Sequence, residues 1–233
     1  MGEIIISIND DYSTTVKGKI EEEISTNTGG LYSIWAEIID INKFINYWRD
    51  REDRYEKLKN QCKEENSSTK TSPKLPKIYS EITKITEKPF LEGTSQIIRD
   101  VKIKEKIRIT KVSNYTLLYI GEAKDLRDRL KAHMNVSINT AGLKLFGSNN
   151  STETIPLQRI TEEEINTLKI DGKVPHIRNI KINYMKVNKE KKARLKLEGQ
   201  LQHNYNCLIG LKSEKRFNED MTEIINELGL PTE

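Results

Sequence analysis

The stretch LLYIGEAKDLRDRLKAHM, from Leu117 to Met134, constrains the fold more than any other part of this chain. An apolar, aromatic-containing run ends in a glycine, and a charged segment with helical periodicity succeeds it almost at once. A strand that hands over to a helix this abruptly must share one core with it. With successive residues about 100° apart, Leu126, Leu130 and Met134 form one narrow stripe facing that core, while Arg127, Asp128 and Lys131 face solvent. His133 falls between Leu126 and Arg129, and Arg129 lies at the edge of the stripe, so both are aimed inward. An inward Arg beside an inward His is costly to bury unless something anionic meets it. Two partners would do: a core carboxylate in a structural ion pair, or an anionic ligand.

The flanking sequence supplies the other elements. Glu3 to Ile8 reads as a strand closed by the turn signal Asn9-Asp10-Asp11, and a polar stretch leads on to Thr28-Gly29-Gly30. Leu31 to Ala36 has the aromatic and β-branched content of a strand, and Asp40 to Lys59 reads as a helix carrying Phe44, Ile45, Trp48 and Tyr55. Cys62 to Lys77 is crowded with Ser, Thr, Pro and Lys and reads as a mobile loop. In KIRITKV, Ile107 and Ile109 alternate with charges as in an edge or hairpin strand, and Ser113-Asn114 turns the chain into a strand from Thr116 to Ile120. Helices are expected over Lys124 to Met134, Lys189 to Asn206 and Asn218 to Leu228, the last stopped by Gly229 with Pro231 beyond. A loop is expected over Gly147 to Thr152 and a strand over Lys181 to Val187. The implied fold class is α+β, a small antiparallel sheet flanked by helices.

With 233 residues the chain can build one full core, and no repeat divides it. A net charge of +4 is too small to argue for an anionic partner, so local clustering must. Lys186, Lys189, Lys191, Lys192, Arg194 and Lys196 form such a cluster. No run approaches the roughly 20 apolar residues of a membrane span, and MGEIIISINDD lacks the basic start of a signal peptide, so a soluble, cytoplasmic protein with no membrane partner is expected. Cys62 and Cys207 lack zinc-site spacing and are read as reduced thiols.

Tyr119-Ile120-Gly121, with Leu126, Arg129 and His133 after it, resembles the second half of the GIY-YIG nuclease motif, and Gly30-Leu31-Tyr32-Ser33-Ile34-Trp35 is similar to its first half. Glu198, in ARLKLEGQLQHNY, fits the carboxylate that the family carries on a later helix. The resemblance implies a metal-dependent endonuclease acting on double-stranded DNA, of restriction or phage-defence type, with room for a homodimer. It implies that Glu198 binds Mg²⁺ or Mn²⁺, Arg129 clamps the scissile phosphate, Tyr32 acts as general base, and Tyr119 and His133 orient it or the attacking water. Lys124, Lys144, Lys191, Lys192 and Arg194 are the expected substrate contacts.

On this reading residues 1–28 are an N-terminal strand and arm, and 29–36 with 114–212 form the nuclease core. Residues 37–113 are then a mainly helical and loop insertion, and 213–233 a C-terminal helix packed on the core. A rival alignment makes KIRITKV the first strand, with Arg108 where the tyrosine belongs. Two positions depart from the family. Glu122 stands where a basic residue or Gln is usual, leaving Lys124 or Lys144 to substitute. No asparagine stands near Gly210, so Asn204 or Asn206 would have to replace it. These departures motivate an alternative, a catalytically degenerate nucleic-acid-binding or regulatory protein on the same core.

Overall fold

A computed structural model describes residues 2–64, 82–86, 96–101, 106–134, 142–146, 173–187, 189–209 and 222–231. The strands are β1 (Gly2–Ser7), β2 (Gly30–Ile38), β3 (Ile82–Thr86), β4 (Gln96–Val101), β5 (Lys106–Val112), β6 (Tyr115–Ala123) and β7 (Ile177–Lys186). The helices are α1 (Lys17–Glu23), α2 (Ile41–Glu64), α3 (Leu126–Met134), α4 (Lys191–Asn204) and α5 (Thr222–Glu227), and a π-helical turn, Tyr12–Val16, leads into α1. The strand order is β1-β7-β2-β6-β5-β4-β3, and every pairing is antiparallel. The chain is thus α+β, an antiparallel sheet with helices on it.

The centre of the sheet is β2, which pairs with β6 on one side and β7 on the other. Its residues from Gly30 to Ala36 are all buried, as expected of a strand covered on both faces. Tyr32, Ile34 and Ala36 enter a core shared with Phe44, Ile45 and Trp48 of α2, and with Leu126, Leu130 and Met134 of α3. Leu31 and Trp35 face a second core, with Leu197 and Leu201 of α4, Leu228 and Leu230.

The register between β2 and β6 is broken at one point. Ile34 pairs with Tyr119 but Trp35 pairs with Leu117, so Leu118 is an extra residue, a β-bulge. Simple alternation would put Tyr119 on the same face as Leu117. The bulge turns it to the face of Tyr32 instead.

The end of the chain is held by buried polar bonds. The backbone N–H of Gly229 bonds to the Asn226 carbonyl and that of Leu230 to the Ile225 carbonyl, the Schellman closure that the glycine predicted, with Gly229 at φ 65°. Ser33 Oγ and Asn183 Nδ2 both donate to the Leu228 carbonyl, at 2.8 and 3.0 Å, and the Trp35 indole donates to Ser33 Oγ at 2.8 Å. At the opposite flank, β1 has its outer edge occupied. Ser7 N–H donates to Asp10 Oδ2, Asp10 N–H to the Ser7 carbonyl, and Lys19 Nζ to the Ile5 carbonyl.

Several expectations change. The polar stretch before Thr28 contains α1, and Val16, Ile20 and Ile24, before, within and after it, recur every fourth residue and are fully buried. The N-terminal segment is therefore a strand and helix built into the domain, and not a strand with an arm. Residues 37–113, expected to be mainly helix and loop, also carry β3, β4 and β5 at one end of the sheet. Between β5 and β6, Lys111 pairs with Thr116 and Val112 with Tyr115, across the Ser113-Asn114 turn. Helix α2 continues through Cys62 to Glu64, and the rest of the expected Cys62–Lys77 loop, like Gly147–Thr152, lies outside the described residues. Among the described residues no helix is long and apolar enough to cross a membrane.

Candidate active site

The site begins where β2 and β6 run side by side. Tyr32 is opposite Gly121, and a Cβ at Gly121 would collide with the Tyr32 hydroxyl, so only glycine lets the phenol lie across its neighbouring strand. The Tyr32 and Tyr119 rings stack with centroids 6.2 Å apart, and His133 from α3 meets them at 5.3 and 5.0 Å. Tyr32 Oη lies 2.7 Å from His133 Nε2 and accepts a hydrogen bond from Arg129 Nε at 3.2 Å. The Arg129 guanidinium also bonds to the Tyr119 hydroxyl.

Burial and bonding together fix the direction of the bond between His133 and Tyr32. Complete burial, with the charges of Arg129 and Lys144 nearby, pushes the imidazole pKa well below its usual value, so the ring is neutral. Its Nδ1 accepts the Leu143 backbone N–H at 3.1 Å, so the ring proton must sit on Nε2. Nε2–H therefore donates to Tyr32 Oη. The phenol oxygen takes two N–H bonds, and its own proton cannot go to His133. Burial opposes the phenolate, raising the Tyr32 pKa well above 10, and Tyr119 is raised as well, again chiefly by burial.

Residues 142–146 back this network. Leu145 and Phe146 N–H groups bond to the carbonyls of His133 and Met134, satisfying the last turn of α3. Lys144 is buried with a left-handed backbone, φ 54°, and burial plus the charges of Arg51 and Arg129 bring its ammonium down to about 7. Arg51, a buried residue of α2, donates to the carbonyls of Leu143 and Lys144 at 3.1 and 2.8 Å.

In front of the tyrosines opens a cleft of about 470 Å³, lined by Tyr119, Glu122, Lys124, Asp125, Asp128, Arg129 and Glu198, among others. That volume suits a ligand of nucleotide size. Glu198, on α4, accepts the Glu122 backbone N–H and the Gln202 side-chain amide, the latter at 3.1 Å. Burial and the Glu122 carboxylate push its pKa up to about 7, the state of a carboxylate short of positive charge. Glu122 itself is paired with Arg194 Nε at 3.1 Å, both side chains nearly buried, and Arg194 also donates to the Lys189 carbonyl.

Among the described residues no three His, Cys, Asp or Glu side chains are grouped to hold a metal by themselves. The donors that are present fit a hard cation held by Glu198 and completed by water and substrate oxygens, as Mg²⁺ is commonly bound. A cation there would also relieve the repulsion between the Glu198 and Glu122 carboxylates.

The five residues expected to be catalytic therefore separate into two groups. Tyr32, Tyr119, Arg129 and His133 form one contact network, and Glu198 shares the cleft with Tyr119 and Arg129. Tyr32 is fully buried behind Tyr119, which is the tyrosine on the cleft wall. The expected substrate contacts scatter. Lys124 lines the cleft and is exposed; Lys191 and Lys192 are exposed in the first turn of α4 but do not line it. Arg194 is committed to Glu122, and Lys144 is buried behind the site. Asn204 is exposed at the end of α4, and the Asn206 carbonyl accepts the Thr110 N–H. Sequence reasoning missed Arg51, one arginine in a helix full of charges, and Asp125, whose carboxylate caps α3 by accepting Asp128 N–H and also takes Asn27 N–H. Comparison with family models, with curated proteins and with solved structures finds no match to this chain.

Proposed function

We propose that this chain is a divalent-metal-dependent endonuclease that hydrolyses phosphodiester bonds in double-stranded DNA, of restriction or phage-defence type. Its core would be GIY-YIG-like, with residues 37–113 inserted between the two tyrosine strands. The observation that carries this reading is the meeting of Tyr32, Tyr119, His133 and Arg129 in one network, with Arg129 and Glu198 on the same cleft. Polar side chains from distant strands and a helix would have no reason to converge in this way for packing alone.

A phosphodiester resists attack because it is already anionic. Arg129, held against the phenols and lining the cleft, would set its positive charge and planar donors toward a phosphate there. Glu198 would hold Mg²⁺ or Mn²⁺, which when bound neutralises phosphate charge and acidifies water. Tyr119, on the cleft wall, would orient the attacking water. Tyr32 stays the proposed base: the charge and hydrogen bond of Arg129 offset part of the burial that holds its pKa high, and its proton would have to leave away from His133. Lys124 supplies a cation to the flanking backbone, and a homodimer would place two such sites on one duplex.

A second reading, a nucleic-acid-binding protein that does not cut, is favoured by the Glu122–Arg194 pair, which occupies a cation beside the cleft with a residue of this chain. One experiment separates the two. Pure protein is incubated with plasmid and with synthetic duplex in Mg²⁺, Mn²⁺ or EDTA, beside the Glu198→Gln variant. Cutting that needs the cation and Glu198 supports the nuclease; duplex binding without cutting in either metal supports the alternative.

A further inference from the structure

We infer that Arg51, which lies on α2 and does not line the cleft, is a positioning residue that fixes the tautomer of His133 through the backbone of residues 142–146. The path is continuous. The Arg51 fork holds two consecutive carbonyls, those of Leu143 and Lys144, at 3.1 and 2.8 Å. The Leu143 peptide so held sends its N–H to His133 Nδ1 at 3.1 Å, and the ring's Nε2–H donates a hydrogen bond to Tyr32 Oη at 2.7 Å.

Three further features show that the clamp is built to be rigid. Trp48, one turn earlier on α2, stacks under the guanidinium, whose centre lies 5.3 Å from the ring. Lys144 adopts a left-handed backbone that a lysine rarely takes, and such conformations persist where the surroundings over-determine them. The N–H groups of Leu145 and Phe146 are tied to the last turn of α3, so the strip is also fixed just beyond Lys144. A bidentate arginine is suited to this task because its planar donors match two carbonyls at once, and lysine cannot do so.

The 37–113 region therefore does more than decorate the domain. Through Arg51 it keeps Nδ1 of His133 an acceptor, so that Tyr32 always receives a hydrogen bond from the imidazole and never gives one. The effect on rate rests on the nuclease reading above; the effect on the tautomer does not.

The test uses the full-length protein labelled with ¹⁵N-histidine, in which the His133 ring is assigned by comparison with His133→Ala. Wild type should show one neutral form, protonated on Nε2. Arg51→Met should show a mixture of Nδ1–H and Nε2–H forms, and a single-turnover cleavage rate lower by about tenfold to a hundredfold, the range for outer-shell partners of a functional histidine. Arg51→Lys, which keeps the charge and one donor group, should fall between the two and carries the test if Arg51→Met does not fold. A single Nε2–H form in both variants overturns the proposal, whatever their activity. If the tautomer mixes but no form of the protein, wild type included, cuts DNA, the positioning role stands and the nuclease reading falls. The charged and titratable groups that face His133 and must be considered in any pH series are Tyr32, Tyr119, Arg129 and Lys144.

Discussion

Replacing Glu198 by glutamine should make the metal-free protein more stable above neutral pH, while removing its response to Mg²⁺. In the fold the carboxyl pKa is raised from 4.5 to about 7. A group whose folded pKa is raised binds its proton more tightly in the native state, so the stability it contributes is greatest at low pH and is lost as pH climbs from 4.5 towards 7. At about 1.4 kcal/mol per pKa unit the loss approaches about 3.5 kcal/mol by pH 8, a ceiling because the carboxylate is partly open to the cleft. Glutamine does not titrate and escapes that loss. For a domain of this size 1 kcal/mol moves Tm by about 2–4 °C, so in EDTA the two curves should nearly coincide at about pH 4 and separate by up to roughly 7–14 °C at about pH 8, the variant melting higher. Lys144 titrates near 7 as well, but its shift arises from burial, Arg51 and Arg129, so it cancels between the two proteins. Saturating Mg²⁺ should then raise the wild-type Tm and leave the variant unchanged. The assay is differential scanning fluorimetry across pH, with and without metal. Parallel Tm curves at every pH in EDTA would refute the reasoning, since Glu198 would then be an ordinary solvated carboxylate.

The other predictions concern the network and the chain end. Arg129→Ala should lower single-turnover cleavage by at least about 3 kcal/mol in barrier, since it removes a positioned cation from developing charge; full activity with a lower Tm would make it a structural partner of the two phenols only. Tyr32→Phe keeps the ring but leaves two buried N–H donors unpaired, so it should lose activity and about 1–3 kcal/mol of stability, the latter read by urea denaturation. A Tyr32→Phe cleavage rate within about threefold of wild type would show that Tyr32 is not the base. Asn183→Leu, which takes one of two donors from the Leu228 carbonyl, should destabilise by about 1–3 kcal/mol and speed proteolysis of the C-terminal segment without changing cleavage; equal proteolysis rates would mean that Ser33 alone holds the chain end.

What the sequence disclosed was what depends on local periodicity. The 3.6-residue stripe of α3 was legible, and Leu126, Leu130, His133 and Met134 are all buried as it required. Gly229 as a helix stop was legible because only a few residues tolerate that backbone. Tyr32 and Tyr119 could be paired from flanking glycines, but the means of pairing could not: alternation along Leu117, Tyr119 and Gly121 hides a bulge at Leu118 that only the register against β2 exposes. Arg51 was invisible for a related reason, since the carbonyls it holds lie far along the chain. Burial of Lys144 and the pairing of Arg194 with Glu122 were equally beyond reach, because a lone lysine, or an arginine in a basic run, reads as solvated until its neighbours in space are known.

The occupied flank of β1 decides how this protein can be concentrated. In an antiparallel ladder alternate residues turn their backbone groups outward, and because Ile8 N–H bonds to the Arg178 carbonyl of β7, the outward set is Glu3, Ile5 and Ser7. Both groups of Ser7 and the Ile5 carbonyl are already taken by Asp10 and Lys19 of the same molecule. A strand from another chain arriving there finds few bonds to make and a lysine in the way, a recurrent natural defence against sheet-to-sheet polymerisation. Copies that approach one another at this edge would have to meet through side chains, and fibre growth from the N-terminal edge is suppressed while Asp10 and Lys19 remain in place.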